Sequence, residues 1–131
     1  MSARLQVKQL SVTFQRGEEQ VYAVTDVSLS ISPGEIIGLV GESGCGKSVT
    51  TKAILRLLDA NRAKISGEVL LDGENLLSLP EKRMRSVRGK RIALIPQNPL
   101  SSLNPVLTIG EQVAEPLVEH YGMSKKEALK K

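Results

Sequence analysis

The residues most able to do chemistry are those at positions 41–48, which read Gly-Glu-Ser-Gly-Cys-Gly-Lys-Ser. Glycines at this spacing let a backbone curl tightly and aim several N–H groups at one concave point, as a triphosphate requires. In such a loop the lysine reaches the β- and γ-phosphates, and the hydroxyl of the last serine is placed to coordinate Mg²⁺. The pattern therefore predicts a loop that cradles ATP or GTP.

The predicted contacts extend from the loop into the residues that follow it. We expect Lys47 to act on the transferred phosphate and Ser48 to contact the metal ion. Cys45 is interpreted as a small spacer, with a reactive thiol as the alternative because Lys47 and a helix N-terminus adjoin it. The predicted nucleotide-binding residues are Gly41, Glu42, Ser43, Gly44, Cys45, Gly46, Lys47, Ser48 and Val49.

The segments on both sides of the loop fit the order strand, loop, helix. Residues 35–40 form a short apolar run rich in β-branched side chains and follow the turn pair Pro33-Gly34, which favours a buried parallel strand. Residues 49–58 place apolar side chains at helical spacing, and residues 90–95 read as a further apolar strand. These segments predict a core of the α/β class.

Alternating apolar residues before the loop predict an antiparallel part of the fold. Residues 5–14 and 21–31 alternate, with one slip in the first run, and the polar segment between them predicts a hairpin turn. Residues 65–72 read as another strand that ends at the turn pair Asp72-Gly73. A serine or threonine stands three residues before a glutamate at 78–81, 108–111 and 124–127, which predicts three helix starts.

Composition narrows the classes of function. The chain has 131 residues, a net charge of +4 and three aromatic residues, so a base-stacking surface for nucleic acid is not expected. No run reaches the roughly 20 apolar residues of a membrane span, and the N-terminus lacks the apolar core of a signal peptide. One cysteine agrees with a cytosolic setting. The basic cluster at 82–91 is interpreted as a solvated helix face, and His120 is given no role.

Together these segments resemble the N-terminal part of an ATP-binding-cassette (ABC) ATPase, the motor subunit of membrane transporters. The resemblance covers nearly the whole chain and rests on residues 27–35, on the loop, and on Gln97 about fifty positions later. Residues 95–105, Ile-Pro-Gln-Asn-Pro-Leu-Ser-Ser-Leu-Asn-Pro, and the Thr-Ile-Gly at 108–110 resemble the oligopeptide, dipeptide and nickel importers. The Ser-Leu-Asn-Pro segment at 102–105 is the most specific of these marks.

The resemblance implies that residues 1–131 are the N-terminal part of one ABC nucleotide-binding domain. Its implied parts are a P-loop NTPase core (36–58 and 90–97), a flanking antiparallel β subdomain (1–35 and 65–75) and the start of a helical subdomain (98–131). No Asp-Glu strand, Leu-Ser-Gly-Gly-Gln-type signature or switch histidine follows Lys131. We therefore expect an incomplete domain, inactive by itself and of low stability.

The resemblance also implies roles for residues outside the loop. Gln97 would contact Mg²⁺ and the attacking water, which a neutral amide can do without adding charge. An aromatic residue upstream of the loop would stack on adenine, and Phe14 and Tyr22 both remain candidates. The implied cofactors are ATP and Mg²⁺.

The implied activity is ATP hydrolysis coupled to import of peptides or nickel. The implied partners are a second ABC ATPase subunit, paired head-to-tail, and membrane permease subunits, with no nucleic acid. The implied location is the cytoplasmic face of the cell's inner membrane, with indirect membrane association.

Three alternatives remain open at the level of sequence. One is a soluble ABC-type ATPase of DNA repair or translation, although the Ser-Leu-Asn-Pro segment favours transport. Another is a small P-loop nucleotide kinase with Asp72 as its metal carboxylate, although an Asp-Gly pair is typical of a turn. The third is a non-enzymatic, dominant-negative partner of a complete cassette.

Overall fold

The computed structural model describes residues 4–131 and divides them into two compact units. The first unit ends at Pro80 and contains the sheet and one α-helix, and the second, Glu81–Lys131, is helical. The predicted phosphate loop belongs to the first unit, and Gln97 belongs to the second.

Among residues 4–131, four strands form one antiparallel sheet in the order β2-β1-β3-β4. The strands are β1 (Leu5–Arg16), β2 (Glu19–Ile31), β3 (Ala63–Leu71) and β4 (Glu74–Asn75). The predicted hairpin of β1 and β2 is confirmed. The predicted turn at Asp72-Gly73 is also confirmed. The φ angles of these residues, 51° and 83°, lie in the left-handed region that tight hairpin turns use.

The slip in the alternation of β1 corresponds to a real irregularity in the sheet. Pairing of β1 shifts register here with both neighbouring strands. The amide of Gln9 donates to Ser28 Oγ and the amide of Asp26 donates to Ser11 Oγ, each at 2.9 Å. Side-chain hydroxyls thus take over ladder hydrogen bonds where the backbones separate.

The helix α1 (Lys47–Ile54) contacts β1 and β2 and contributes Ala53 and Ile54 to the core of the first unit. It is shorter than the predicted span of 49–58, because Arg56 takes a left-handed φ of 52° that ends the helix. The Arg56 guanidinium donates to the carbonyls of Leu76 and Leu79 at 3.2 and 2.5 Å. The other buried apolar residues of this core are Val7, Leu10, Val12, Val24, Leu55, Val69, Leu71 and Leu76.

Residues 35–40 do not form the buried parallel strand that their sequence predicts. Within the described chain they pair with no strand, and Ile36 and Val40 are 97% and 93% exposed. The strand predicted at 90–95 is likewise wrong, because it is reduced to one bridge between Arg88 and Ile92 and Ile95 is 90% exposed. A strand needs a neighbour for its backbone N–H and C=O groups, and residues 4–131 supply none here.

The second unit contains α2 (Glu81–Val87), α3 (Ile109–Tyr121) and α4 (Lys125–Ala128). The helix predicted from the spacing at 78–81 is confirmed as α2, but Ser78 does not cap it, because α2 begins at Glu81. Ser78 instead ends a short 3₁₀ helix, and its hydroxyl donates to the Asn75 carbonyl at 2.9 Å. Of the helices that the structure describes, none has the length and apolar character required to cross a bilayer.

The other two predicted helix starts are confirmed as reciprocal caps. Thr108 and Glu111 cap α3, and Ser124 and Glu127 cap α4, each pair exchanging side-chain and backbone hydrogen bonds. Hydrogen bonds from Lys125 and Thr108 lower the pKa of Glu111 to about 2, and those from Ser124 lower the pKa of Glu127. Both carboxylates are therefore held in the charged form that the caps require.

Candidate nucleotide-binding site

The loop at 41–46 leads directly into α1, as the sequence predicts. Gly44 and Gly46 take φ angles of 83° and 93°, which glycine adopts at low cost. Gly46 is the N-cap residue of α1 and offers no side chain to accept hydrogen bonds from the amides of the first helical turn. Those amides and the helix dipole favour an anion in front of α1.

Gly46 also lies close to the sheet. A Cβ at this position would stand 2.6 Å from the Ala23 carbonyl oxygen and 3.3 Å from Val24 Cγ2. Gly41 is closely packed too, because a Cβ there would stand 2.5 Å from Cys45 Sγ. The loop therefore needs glycine at 46 for both backbone conformation and close approach, whereas a Cβ at 41 would meet the exposed Cys45 side chain, which can move aside.

The ammonium group of Lys47 is held against the inside of the curled loop. Its Nζ donates to the carbonyl oxygens of Gly41 and Glu42, at 2.6 Å each, and lies 3.4 Å from Cys45 Sγ. The first two contacts are strong charge-assisted hydrogen bonds, whereas sulfur is a weak acceptor. One N–H of the ammonium group is therefore readily available to a stronger acceptor, such as a phosphate oxygen.

Cys45 is exposed to solvent. Its contact with Lys47 leaves both interpretations of this residue, spacer and reactive thiol, as predictions.

Thr50 is a positioning residue that the sequence reasoning missed. Its side chain is buried, and its hydroxyl and its amide both donate to the Gly46 carbonyl, at 3.0 and 2.8 Å. The two bonds fix the peptide that joins the loop to α1. The sequence feature that indicates this role is a threonine four residues after a glycine at a helix start. A threonine hydroxyl in a helix often donates to the carbonyl four residues earlier.

Ser48 and Val49 lie in the first turn of α1, where the sequence places them. Ser48 is exposed, so its hydroxyl is accessible from solvent, and its carbonyl accepts a hydrogen bond from Thr51 Oγ1 at 3.1 Å. Val49 is half-buried. Within residues 4–131, no group of three His, Cys, Asp or Glu side chains is arranged to hold a metal ion.

The two aromatic candidates lie on opposite faces of the sheet. Phe14 is half-buried and follows Val12 by two positions along β1, so it shares the face of the sheet that carries buried Val12. Tyr22 is 70% exposed and pairs with Thr13, after a register shift that turns it to the other face. There it lines a polar groove of about 590 Å³ with Thr13 and Arg62.

Asp72 is found in a turn, as its Asp-Gly pair predicts. It lies in the turn between β3 and β4, and its carboxylate is 2.9 Å from the Arg4 guanidinium. Gln97 is exposed and belongs to the second unit, so its contact with the metal ion stays a prediction.

Comparison with known proteins shows the family of the chain. Residues 24–131 match the ABC transporter family. A probable peptide ABC transporter ATP-binding protein of Sinorhizobium fredii is 49% identical over 128 residues, which are 97% of this chain and 38% of that protein. The oligopeptide transport ATP-binding protein of Escherichia coli is 45% identical over 126 residues, which are 96% of this chain and 37% of that protein.

Solved structures of ABC transporter cassettes share this fold. A dimeric bacterial ABC transporter cassette superimposes with a TM-score of 0.76 at 30% identity, covering 96% of this chain and 53% of that one. A dimeric post-hydrolysis cassette bound to ADP and Pi superimposes with a TM-score of 0.77 at 31% identity, with the same coverage.

The fold and the loop define a nucleotide-binding unit of the ATP-binding-cassette class. The chain belongs to the ABC transporter family, which confirms the resemblance read from the sequence. It spans 38% of the length of the first curated relative that it matches.

Proposed function

We propose that the loop at 41–48 binds the triphosphate of Mg-ATP. The observation that carries this proposal is the cradle itself, in which the loop curls around the Lys47 ammonium in front of α1 and Gly46 packs closely against β2. On binding, a phosphate oxygen replaces Cys45 Sγ as the third acceptor of Lys47. The ammonium then offsets negative charge on the transferred phosphoryl group.

The magnesium ion fits this donor set. Ser48 offers an exposed hydroxyl beside the loop, and oxygen ligands from one or two side chains together with phosphate are the usual environment of nucleotide-bound Mg²⁺. Ser48 and Gln97 would hold the ion, which neutralises phosphate charge when bound. Gln97 would also orient the attacking water.

Phe14 is the better candidate for contact with adenine. It lies on the sheet face of Val12, which pairs with Val24, and Val24 is the residue against which Gly46 of the loop packs. Tyr22 is turned to the opposite face. The division into a P-loop core (36–58 and 90–97), a β subdomain and the start of a helical subdomain is proposed on the same family basis.

For the whole protein we propose ATP hydrolysis that drives import of peptides. The proposal is supported by the similarity of the chain to peptide, dipeptide and oligopeptide transport ATP-binding proteins. This similarity favours peptides over nickel as the cargo. A second cassette, paired head-to-tail, and membrane permease subunits would be the partners, placing the protein at the cytoplasmic face of the inner membrane.

The exposed apolar runs at 35–40 and 93–96 support the proposal of a longer domain. Strands supplied by the rest of the whole protein would pair with them and cover their side chains.

The transport proposal is tested with Lys47→Ala in the full-length protein. Uptake of labelled peptide should be lost, while the variant still co-purifies with permease subunits. Lys52→Ala, an exposed lysine on the same helix, is the matched control and should transport normally. Uptake that survives Lys47→Ala would refute the proposal, and ATP hydrolysis without any permease partner would favour a soluble ABC-type ATPase.

A further inference from the structure

The polar groove of about 590 Å³ on the sheet face of Tyr22 is lined only by residues of the first unit. Such a volume is typical of a site for a small molecule. Eight of its twelve lining residues carry uncharged polar side chains, and within the described chain no carboxylate lines it. The chemistry of the groove is therefore mainly that of neutral hydrogen bonding.

The strand register explains why these side chains share one face of the sheet. Thr13 of β1 pairs with Tyr22 of β2 on one side and with Lys64 of β3 on the other. Two positions earlier on β1, Ser11 pairs with Ser66 of β3. Paired residues point to the same side of a sheet, as do residues two apart on one strand. Short hydroxyl side chains are therefore collected beside the Tyr22 ring.

The segment 60–62 also lines the groove and is held by backbone hydrogen bonds. The Gln15 amide donates to the Arg62 carbonyl at 2.9 Å, which joins the segment to β1. The Arg62 amide donates to the Asp59 carbonyl at 3.0 Å, and the Asn61 amide donates to Asp59 Oδ1 at 2.9 Å. Asn61 is therefore presented to the groove from a preformed turn.

Several lining side chains form no hydrogen bond or ion pair within residues 4–131, namely those of Thr13, Thr25, Asn61, Lys64 and Ser66. Thr13 is half-buried and the other four are exposed, so a ligand can reach all of them. Hydroxyl and amide side chains can both donate and accept hydrogen bonds. The groove therefore offers donors and acceptors close together, as a ligand rich in hydroxyl groups requires.

The Tyr22 ring supplies a flat apolar surface within the groove. Its hydroxyl donates to Gln20 Oε1 at 3.3 Å, and most of the side chain remains exposed. A sugar ring carries C–H groups on its faces and hydroxyl groups around its rim, so it matches an aromatic face surrounded by hydroxyl and amide side chains. A nucleobase has polar groups only along its edge and would engage fewer of these side chains.

The cations of the groove do not favour a multivalent anion. Arg62 Nε lies 3.7 Å from Asp59 Oδ2, so the charge of Arg62 is partly offset. Lys64 is left as the one lining cation without an ion-pair partner in residues 4–131. A single exposed ammonium group binds an anion weakly in water, but its N–H groups can donate to hydroxyl oxygens. An uncharged ligand is therefore favoured.

We propose that the polar groove binds a short neutral saccharide. One sugar ring rests on Tyr22, and its hydroxyl groups exchange hydrogen bonds with Thr13, Asn61 and Ser66. The site is separate from that of the nucleotide, because Tyr22 lies on the sheet face opposite to Phe14. The proposal therefore adds a second ligand, beyond ATP and the transported peptide.

The test is a titration of the full 131-residue chain, labelled with ¹⁵N. Maltose, lactose and N-acetylglucosamine are added in separate experiments, and the amide signals of residues 11–15, 20–25 and 61–66 are followed. At least one of the three sugars should give saturable shifts of these signals.

Variants of the lining residues identify the groups that hold the sugar. Tyr22→Ala should weaken binding roughly tenfold because it removes the apolar surface, whereas Tyr22→Phe keeps the ring and should weaken binding by less than about threefold. Asn61→Ala with Ser66→Ala, two exposed changes that spare the core, should weaken binding roughly threefold. The matched control is Tyr121→Ala, a similarly exposed tyrosine of the second unit, which should leave the affinity unchanged.

The absence of saturable shifts with all three sugars would overturn the proposal, as would an equal loss of affinity in Tyr22→Ala and Tyr121→Ala. Tighter binding of adenosine, tripolyphosphate or trialanine than of every sugar, read at the same signals, would overturn it too by assigning the groove to another class of ligand. None of these outcomes depends on whether the loop at 41–48 binds ATP.

Discussion

Replacement of Gly46 by alanine tests the packing of the phosphate loop against the sheet. The new Cβ would meet the Ala23 carbonyl oxygen at 2.6 Å and Val24 Cγ2 at 3.3 Å, and the residue would be held at a φ of 93°. A left-handed backbone conformation destabilises the fold by about 1–2 kcal/mol for a non-glycine residue. Overpacking adds about 1–3 kcal/mol of destabilisation. We expect Gly46→Ala to lower the free energy of unfolding by about 2–5 kcal/mol in total.

The matched control is Gly34→Ala. Gly34 has a similar φ of 76°, but among the described residues no heavy atom lies within 4 Å of a Cβ built there. Gly34→Ala should therefore lower the free energy of unfolding only by the cost of the left-handed backbone conformation, about 1–2 kcal/mol. Urea denaturation of both variants, followed by circular dichroism, measures the difference. Equal destabilisation by the two substitutions would show that the loop does not rest on β2 as described.

Three further predictions concern other parts of the chain. Phe14→Ala should weaken Mg-ATP binding roughly 5- to 150-fold, the range of a lost base stack, without changing tripolyphosphate binding. Tyr22→Ala should change neither affinity, and the reverse pattern in a titration would exchange the roles of the two residues. Thr108→Ala should destabilise the chain by about 1 kcal/mol in urea, since it removes the cap of α3, and an unchanged midpoint would contradict that cap. Because the pKa of Glu111 is lowered from its ordinary 4.5 to about 2 in the folded chain, its contribution is complete above 4.5 and is lost as pH falls through 2. Glu111→Gln, or removal of its partner Lys125, should make the free energy of unfolding depend less steeply on pH between 4.5 and 2. The same pH dependence in the variant and the wild type would refute the pairing.

Local patterns in the sequence were sufficient for the hairpin, the loop and two of the helix caps. Their signals are short-range: alternation sets β1 and β2, glycine spacing sets the loop, and a threonine or serine three residues before a glutamate sets a cap. Ser78 shows the limit of that last rule. The same spacing fails there because the preceding residues already form a 3₁₀ helix capped by Asn75.

Long-range partners decided what the sequence could not predict. Residues 35–40 have the apolar composition of a core strand, but a strand exists only beside another, and residues 4–131 provide none at that place. The role of Thr50 was equally hidden, because its importance comes from burial and from two bonds to a single carbonyl. The opposite faces of Phe14 and Tyr22, on which our proposal for the adenine contact rests, follow from a register shift in β2 that alternation alone does not locate.

The central claim is that the loop at 41–48 binds Mg-ATP through Lys47. The most direct test is a titration of Mg-ATP into the ¹⁵N-labelled chain, with the wild type, Lys47→Ala and the control Lys52→Ala compared. The account predicts Mg²⁺-dependent shifts of the amides at 41–49 in the wild type and in Lys52→Ala, and their loss in Lys47→Ala. Equal shifts in Lys47→Ala, or none in the wild type, would contradict it.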